Sequence, residues 1–300
     1  MFYNNFSTHS DIIHHHLVPR LAVRYLYSAA RAKMRPLPEP EWMPKGYYGK
    51  IPSIIASIRQ HPEGVSPTLE SIPQINNTML DREPYPGLIR DMQETDFKRW
   101  GFVVFRTVYT EESQSQWESY IEFLKASVED RLESLELSTL LKPHLEWTII
   151  EDRDTLDNAS KQHVRERFSE WASQRSVERD GPGVEEAFQR DFPRFRYCVY
   201  VDQKCLDTVT QYEAWAEAGA LGPSKYVVCA LIDKRCGSKG QGKGRFHRIE
   251  GCSREYTGWQ YSSVHTLSGL YDKLSLMGLM EDDYTRPPQI FPGDDVMPVD

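Results

Sequence analysis

Charged residues inside otherwise apolar strand patterns offer the most chemistry in this sequence. Arg106 stands in Phe-Val-Val-Phe-Arg-Thr-Val-Tyr (102–109), where alternation places it on one face with Phe102, Val104 and Val108. Asp202 closes Phe-Arg-Tyr-Cys-Val-Tyr-Val-Asp (195–202) and shares its face with Arg196, Cys198 and Tyr200. An ionised side chain buried among such neighbours requires a partner or a ligand. Arg106, Glu146, Arg196 and Asp202 are therefore the candidate ligand-binding residues, lining a polar pocket on an open sheet face. Salt bridges within the chain or exposure at a strand edge account for the same residues.

A second candidate is the Gly-rich run 237–244, which satisfies all but the last position of a phosphate-cradling loop. Gly244 stands where a Ser or Thr would reach Mg²⁺, and no helix start follows. From Asp233 to Glu255 there are seven Lys or Arg against three acids. Lys239, Lys243, Arg245 and Arg248 are thus weak anion-binding candidates for phosphate or an RNA backbone, set against a solvated loop.

The cysteines give less. Cys198 and Cys205, like Cys229 and Cys236, lie seven apart, which on a strand puts them on opposite faces and does not match zinc-knuckle spacing. No metal site is expected, either there or at His14, His15 and His16. Cys252 has no base nearby, and His163, His247 and His265 have no acid at relay spacing, so no catalytic residue is assigned.

The elements that must position these groups follow from periodicity. Strands are expected at 102–109, Leu145–Ile150, 195–202 and Tyr226–Asp233. A helix capped at Ser113 and Gln116 should bury Trp117, Ile121, Leu124, Val128, Leu132 and Leu135. A second helix over 158–175, capped by Asn158 or Ser160, should bury Val164, Phe168 and Trp171 and leave Arg165 and Arg167 wet. Helical spacing recurs over 206–215 and 264–274. The order predicts an α+β fold, a ferredoxin-like βαβ-βαβ sandwich with a helical insertion and a C-terminal helix. A doubly wound parallel sheet fits the same alternation, but no strand-to-helix junction carries a dinucleotide fingerprint, and no cofactor is expected.

Ten of the 19 prolines lie between Pro36 and Pro86. Residues 1–92 accordingly read as a basic N-terminus and a proline-rich arm, with a short helix at Ile54, Ile55 and Ile58. Residues 93–280 read as the core domain and 281–300 as an acidic disordered tail. The apolar fraction of 39%, with 7 Trp, 16 Tyr and 12 Phe, supplies a core. A net charge of −8 excludes a protein that coats nucleic acid with its whole surface, so such contact is expected only at local basic patches. No apolar run of about 18 residues predicts a membrane span. Five cysteines and no secretory h-region point to a cytoplasmic chain, while the basic segment 12–35 offers a mitochondrial alternative. Partners in keeping with this composition are a small-molecule ligand, another protein or a second copy in a homodimer.

Trp100-Gly-Phe-Val-Val-Phe-Arg-Thr-Val-Tyr109, the run Glu151–Ser160 leading into Val164–Trp171, and Phe195–Asp202 resemble a group of uncharacterised filamentous-fungal (ascomycete) proteins. The resemblance covers roughly 95–235 and implies an origin and a domain extent, with no established activity. The expected function is a non-catalytic intracellular binding or interaction module. The alternatives are a cofactor-independent enzyme acting on a small aromatic metabolite in a sheet-face pocket, and RNA or phosphate binding through the basic loop.

Overall fold

A computed structural model describes residues 51–300, apart from Gly222, Ser224, residues 237–244 and 281–282, Asp294 and residues 298–300. The basic N-terminus, the start of the proline-rich arm, and the loop holding Lys239 and Lys243 lie outside the described residues.

Helices α1 (Ser53–Arg59) and α2 (Pro86–Glu94) precede strand β1 (Val103–Arg106). Next come α3 (Glu111–Ser134), α4 (Ser138–Leu141), β2 (Thr148–Ile150), α5 (Arg153–Leu156) and α6 (Lys161–Ser173). Three short helices follow, α7 (Val177–Asp180), α8 (Val184–Gln189) and α9 (Pro193–Arg196). The chain continues through β3 (Tyr197–Val201), α10 (Gln203–Glu217), β4 (Val228–Asp233), β5 (Trp259–Ser263), α11 (Leu267–Leu276) and β6 (Ile290–Phe291).

The fold is α+β with one mixed sheet in the order β2-β1-β3-β4-β5-β6. β1 pairs in parallel with both β2 and β3, β3–β4 and β4–β5 are antiparallel, and β6 is parallel to β5. This differs from the ferredoxin-like sandwich expected, whose helices keep to one face. Here Phe105 meets Phe168 of α6 at 6.2 Å between ring centroids, while its neighbour Arg106, pointing the other way, lies 5.2 Å from the Trp117 ring of α3. Both faces are therefore covered, and β1, β3, β4 and β5 are buried along their whole length. The open sheet face proposed for the pocket is absent. Continuous rather than alternating apolar runs, such as Val228–Ile232, are what a sheet buried on both sides requires.

Caps set the helix starts. The α3 cap is Thr110, whose side chain accepts from the Ser113 N–H, so Ser113 lies inside the first turn and is not the cap expected. Its buried stripe is broader than expected, adding Tyr120, Phe123 and Ser127, while Ile121 and Leu135 stay half-buried. α6 is capped by Ser160, which accepts from His163 N–H at 3.2 Å. Ser160→Ala should cost about 1 kcal/mol, and Ser160→Asp should cost little. Urea midpoints of the two variants check this, and equal midpoints would remove the cap from the account. Arg165, expected on the wet face of α6, is instead buried. Its Nε donates to the Asp233 carbonyl at 3.0 Å and its Nη2 to the Gly258 carbonyl at 3.2 Å.

Among the described residues, those of 51–210 and 226–297 form one compact unit, and those of 211–225 belong to a second. In the second, the described residues carry the last turns of α10, where the Tyr212 and Trp215 rings lie 5.6 Å apart. No boundary falls at residue 92. The described part of the arm belongs to the first unit, with Ile54, Leu88, Ile89 and Met92 all buried. α2 packs closely on α11: a Cβ at Gly87 would lie 2.6 Å from the Asp272 carbonyl oxygen, so only glycine permits this approach. The tail also packs where it is described. β6 pairs with β5, Thr285 N–H donates to Gln260 Oε1 at 2.8 Å, and Met297 is buried. Among the described residues no helix is long and apolar enough to cross a membrane.

Candidate ligand-binding site

The four strand-associated candidates do not converge. Arg106 and Asp202 lie at the carboxyl ends of β1 and β3, whereas Glu146 and Arg196 immediately precede β2 and β3, at the opposite end of the sheet.

At the carboxyl end both charges are consumed by the chain. Arg106 is buried, donating through Nε to the Val108 carbonyl at 2.7 Å and through Nη1 to Gln114 Oε1 at 2.9 Å. Its guanidinium lies 4.7 Å from the Tyr109 ring centroid, with Glu151 3.7 Å away. Trp117 Nε1 also donates to Glu151. Arg106 thus clamps the β1–α3 turn. Asp202 accepts from the Cys205 N–H at 3.0 Å, satisfying one of the free donors at the start of α10.

The other end is built around Glu146. Gly101 has φ +116°, and a Cβ there would come 2.5 Å from the Glu146 carbonyl oxygen. This close approach lets Glu146 N–H donate to the Trp100 carbonyl at 2.8 Å and presents the carboxylate to two arginines. Arg99 Nη1 reaches it at 2.8 Å and Arg194 Nη2 at 2.7 Å. Arg194, 1% exposed, also binds the carbonyls of Gly101 at 3.1 Å and Glu146 at 3.0 Å, and Thr148 Oγ1 at 2.8 Å.

Beside this network lies a cleft of about 370 Å³ bordered by Lys98, Arg99, Pro143, His144, Leu145 and Glu146. Partial burial holds the His144 imidazole below its ordinary pKa, against a hydrogen bond to the Lys98 backbone that favours protonation, so the ring is neutral at pH 7. Arg196 borders a different depression, of about 180 Å³, with Asp91 and Arg190. Of the four residues singled out from the sequence, then, Glu146 lines the larger recess and Arg196 the smaller. Lys98, Arg99 and His144 were missed because they lie just before strands, in Lys98-Arg99-Trp100 and Lys142-Pro-His144, rather than within them.

Burial pushes the thiols of Cys198, Cys205 and Cys229 up, that of Cys229 to about 12, which keeps them protonated and unreactive at neutral pH. Among the described residues no three His, Cys, Asp or Glu side chains gather as a metal set. Arg245 and Arg248, the described members of the basic-loop candidates, are exposed. No family model matches the chain, and no curated protein or solved structure matches it either.

Proposed function

We propose that the protein is a non-catalytic binding module that takes a small carboxylate-bearing molecule in the cleft beside Glu146. The cleft carries this reading: its volume of about 370 Å³ falls in the range of small-molecule sites. Its wall combines apolar Pro143 and Leu145 with the cations Lys98 and Arg99, the neutral ring of His144, and the acids Asp96, Glu146 and Asp180. Arg99 is half-exposed at the rim and held in place by Glu146 and by the Arg179 carbonyl at 3.1 Å, so a planar guanidinium is oriented before any ligand arrives.

Isothermal titration with a panel of small mono- and dicarboxylates tests it. At least one should bind, and Arg99→Ala should weaken that binding about tenfold or more, as for loss of one charge-assisted hydrogen bond. Undiminished binding by the variant removes the reading.

His144 supports a second reading, a cofactor-independent enzyme on a small aromatic metabolite, because a neutral imidazole beside a cleft is able to accept a proton. Turnover of a bound compound that is lost in His144→Ala while binding persists would select it.

A further inference from the structure

β2 forms one edge of the sheet. Leu145 to Ile150 are all half-buried, whereas β1, β3, β4 and β5 are buried throughout. Among the described elements only β1 packs closely along β2.

The backbone pattern shows what this edge leaves open. Trp100 N–H donates to the His144 carbonyl at 3.0 Å, and Glu146 N–H donates to the Trp100 carbonyl at 2.8 Å. The same parallel register runs on from Trp100 and Leu145 through Val103 and Thr148 to Phe105 and Ile150. Alternate residues of β2, namely Glu146, Thr148 and Ile150, therefore turn their N–H groups to β1, while Trp147 and Ile149 direct N–H and C=O away from the sheet. Neither of these two has a backbone partner among the described residues. Folded chains ordinarily blunt such an edge with lysine, proline, a bulge or a very short strand. The opposite edge conforms, since β6 has two residues and is followed by Pro292. Leu145-Glu-Trp-Thr-Ile-Ile150 holds no lysine or proline and ends in three β-branched residues.

The flanking charges select the occupant. Lys142 and His144 precede the strand, and Glu151, Asp152 and Asp154 follow it with Arg153 the sole cation among them. Glu146, inside the run, is held by Arg99 and Arg194. A second copy laid antiparallel sets the basic end of each segment against the acidic end of the other, whereas a parallel copy would set like against like. Lys142, bound to Glu129 at 2.8 Å, and Asp154 are both exposed and free to reorient.

We propose that two copies of the chain associate through β2, antiparallel about a two-fold axis at Thr148, so that their sheets join into one. Trp147 then exchanges both outward hydrogen bonds with Ile149 of the partner subunit, and its ring packs on that side chain; the axis repeats the pair. Lys142 faces Asp154 of the partner subunit. The association does not depend on the carboxylate cleft.

Sedimentation equilibrium of the full chain, from nanomolar to high micromolar concentration, should show monomer and dimer exchanging, with a dissociation constant in the micromolar range for so short an interface. Amide hydrogen exchange at Trp147 and Ile149 should slow about tenfold or more across that range, while exchange at exposed Val177 should not change. Ile149→Pro, which removes an N–H that β1 does not use, should leave the chain monomeric. Lys142→Glu should raise the dissociation constant about tenfold, because the axis counts the lost pair twice, and Lys142→Glu with Asp154→Lys should restore it. A chain that stays monomeric overturns the proposal, and amides already protected in that monomer would place a segment of the same chain on the edge. A dimer whose Trp147 and Ile149 amides exchange as in the monomer overturns it as well, whether or not a variant folds.

Discussion

Arg194→Met should lower the stability of the protein by about 3–5 kcal/mol, the loss typical when one partner of a buried ion pair is removed. The methionine fills much of the volume but leaves four acceptors without a donor: the Gly101 and Glu146 carbonyls, Glu146 Oε1 and Thr148 Oγ1. Glu146 is 39% exposed, so water can recover part of its loss, and the enclosed carbonyls dominate. Arg194→Lys should recover little, because one ammonium cannot span acceptors that two guanidinium nitrogens reach. Such a loss is a large share of the roughly 5–15 kcal/mol that separates folded from unfolded chains. Urea denaturation with an unchanged slope measures it, and a loss under about 1 kcal/mol would mean that water replaces the guanidinium. Glu146→Gln in the Arg194→Met background should cost less than in the wild type, because the carboxylate has already lost its buried donor.

Asp272→Asn should make the protein less sensitive to alkaline pH. Asp272 Oδ1 accepts from the Leu88 N–H at 2.9 Å at the start of α2. Burial nevertheless pushes its carboxyl up to about 7, opposed by the Leu88 and Gly87 N–H groups and reinforced by Asp91. Asp91, buried on α2, is itself pushed up to about 7, again by burial first. In the unfolded chain both titrate near 3.9. The folded state therefore holds more protons than the unfolded state across this interval. The favourable contribution is complete below about pH 3.9 and is lost as pH rises through the folded value near 7. Each unit of displacement is about 1.4 kcal/mol, so each carboxyl has a contribution on the order of 4 kcal/mol to lose by pH 8. Asparagine keeps an acceptor for Leu88 without the charge. The variant should match or fall below the wild type at pH 5 and exceed it at pH 8.5. Parallel stability profiles for the two proteins would place the titration elsewhere.

Much of the scaffold was legible in the apolar runs. Phe102–Tyr109, Phe195–Asp202 and Tyr226–Asp233 each contain a strand, and Val164 and Phe168 do line the inner stripe of α6. β5 escaped because Trp-Gln-Tyr-Ser-Ser is polar in composition. Two of its buried polar side chains satisfy each other, with Gln260 Nε2 donating to Ser262 Oγ at 3.1 Å. The short helix expected at Ile54, Ile55 and Ile58 is α1, whereas α2 escaped because prolines were weighed as breakers of regular structure, and Pro86 opens it at a position where the missing N–H costs nothing. The charged strand positions were legible only as groups that need a partner. Charge within a strand correctly marked Arg106 as engaged, but a strand pattern cannot show that its partners, Gln114 and Glu151, return from α3 and the end of β2. The cleft residues precede their strands, where alternation has no reach.

The central position of β1 has a consequence for how the chain is made. Val103 pairs with Thr148 on one side and with Cys198, 95 positions later, on the other. Contacts so distant in sequence slow folding, since the intervening loop must close before the pairing stabilises anything. At a synthesis rate of roughly 5–20 residues per second, β1 leaves the ribosome about 5–20 seconds before β3 exists. Throughout that interval Phe-Val-Val-Phe has an unpaired apolar edge, which makes it the segment through which a nascent chain of this protein would engage a chaperone or aggregate.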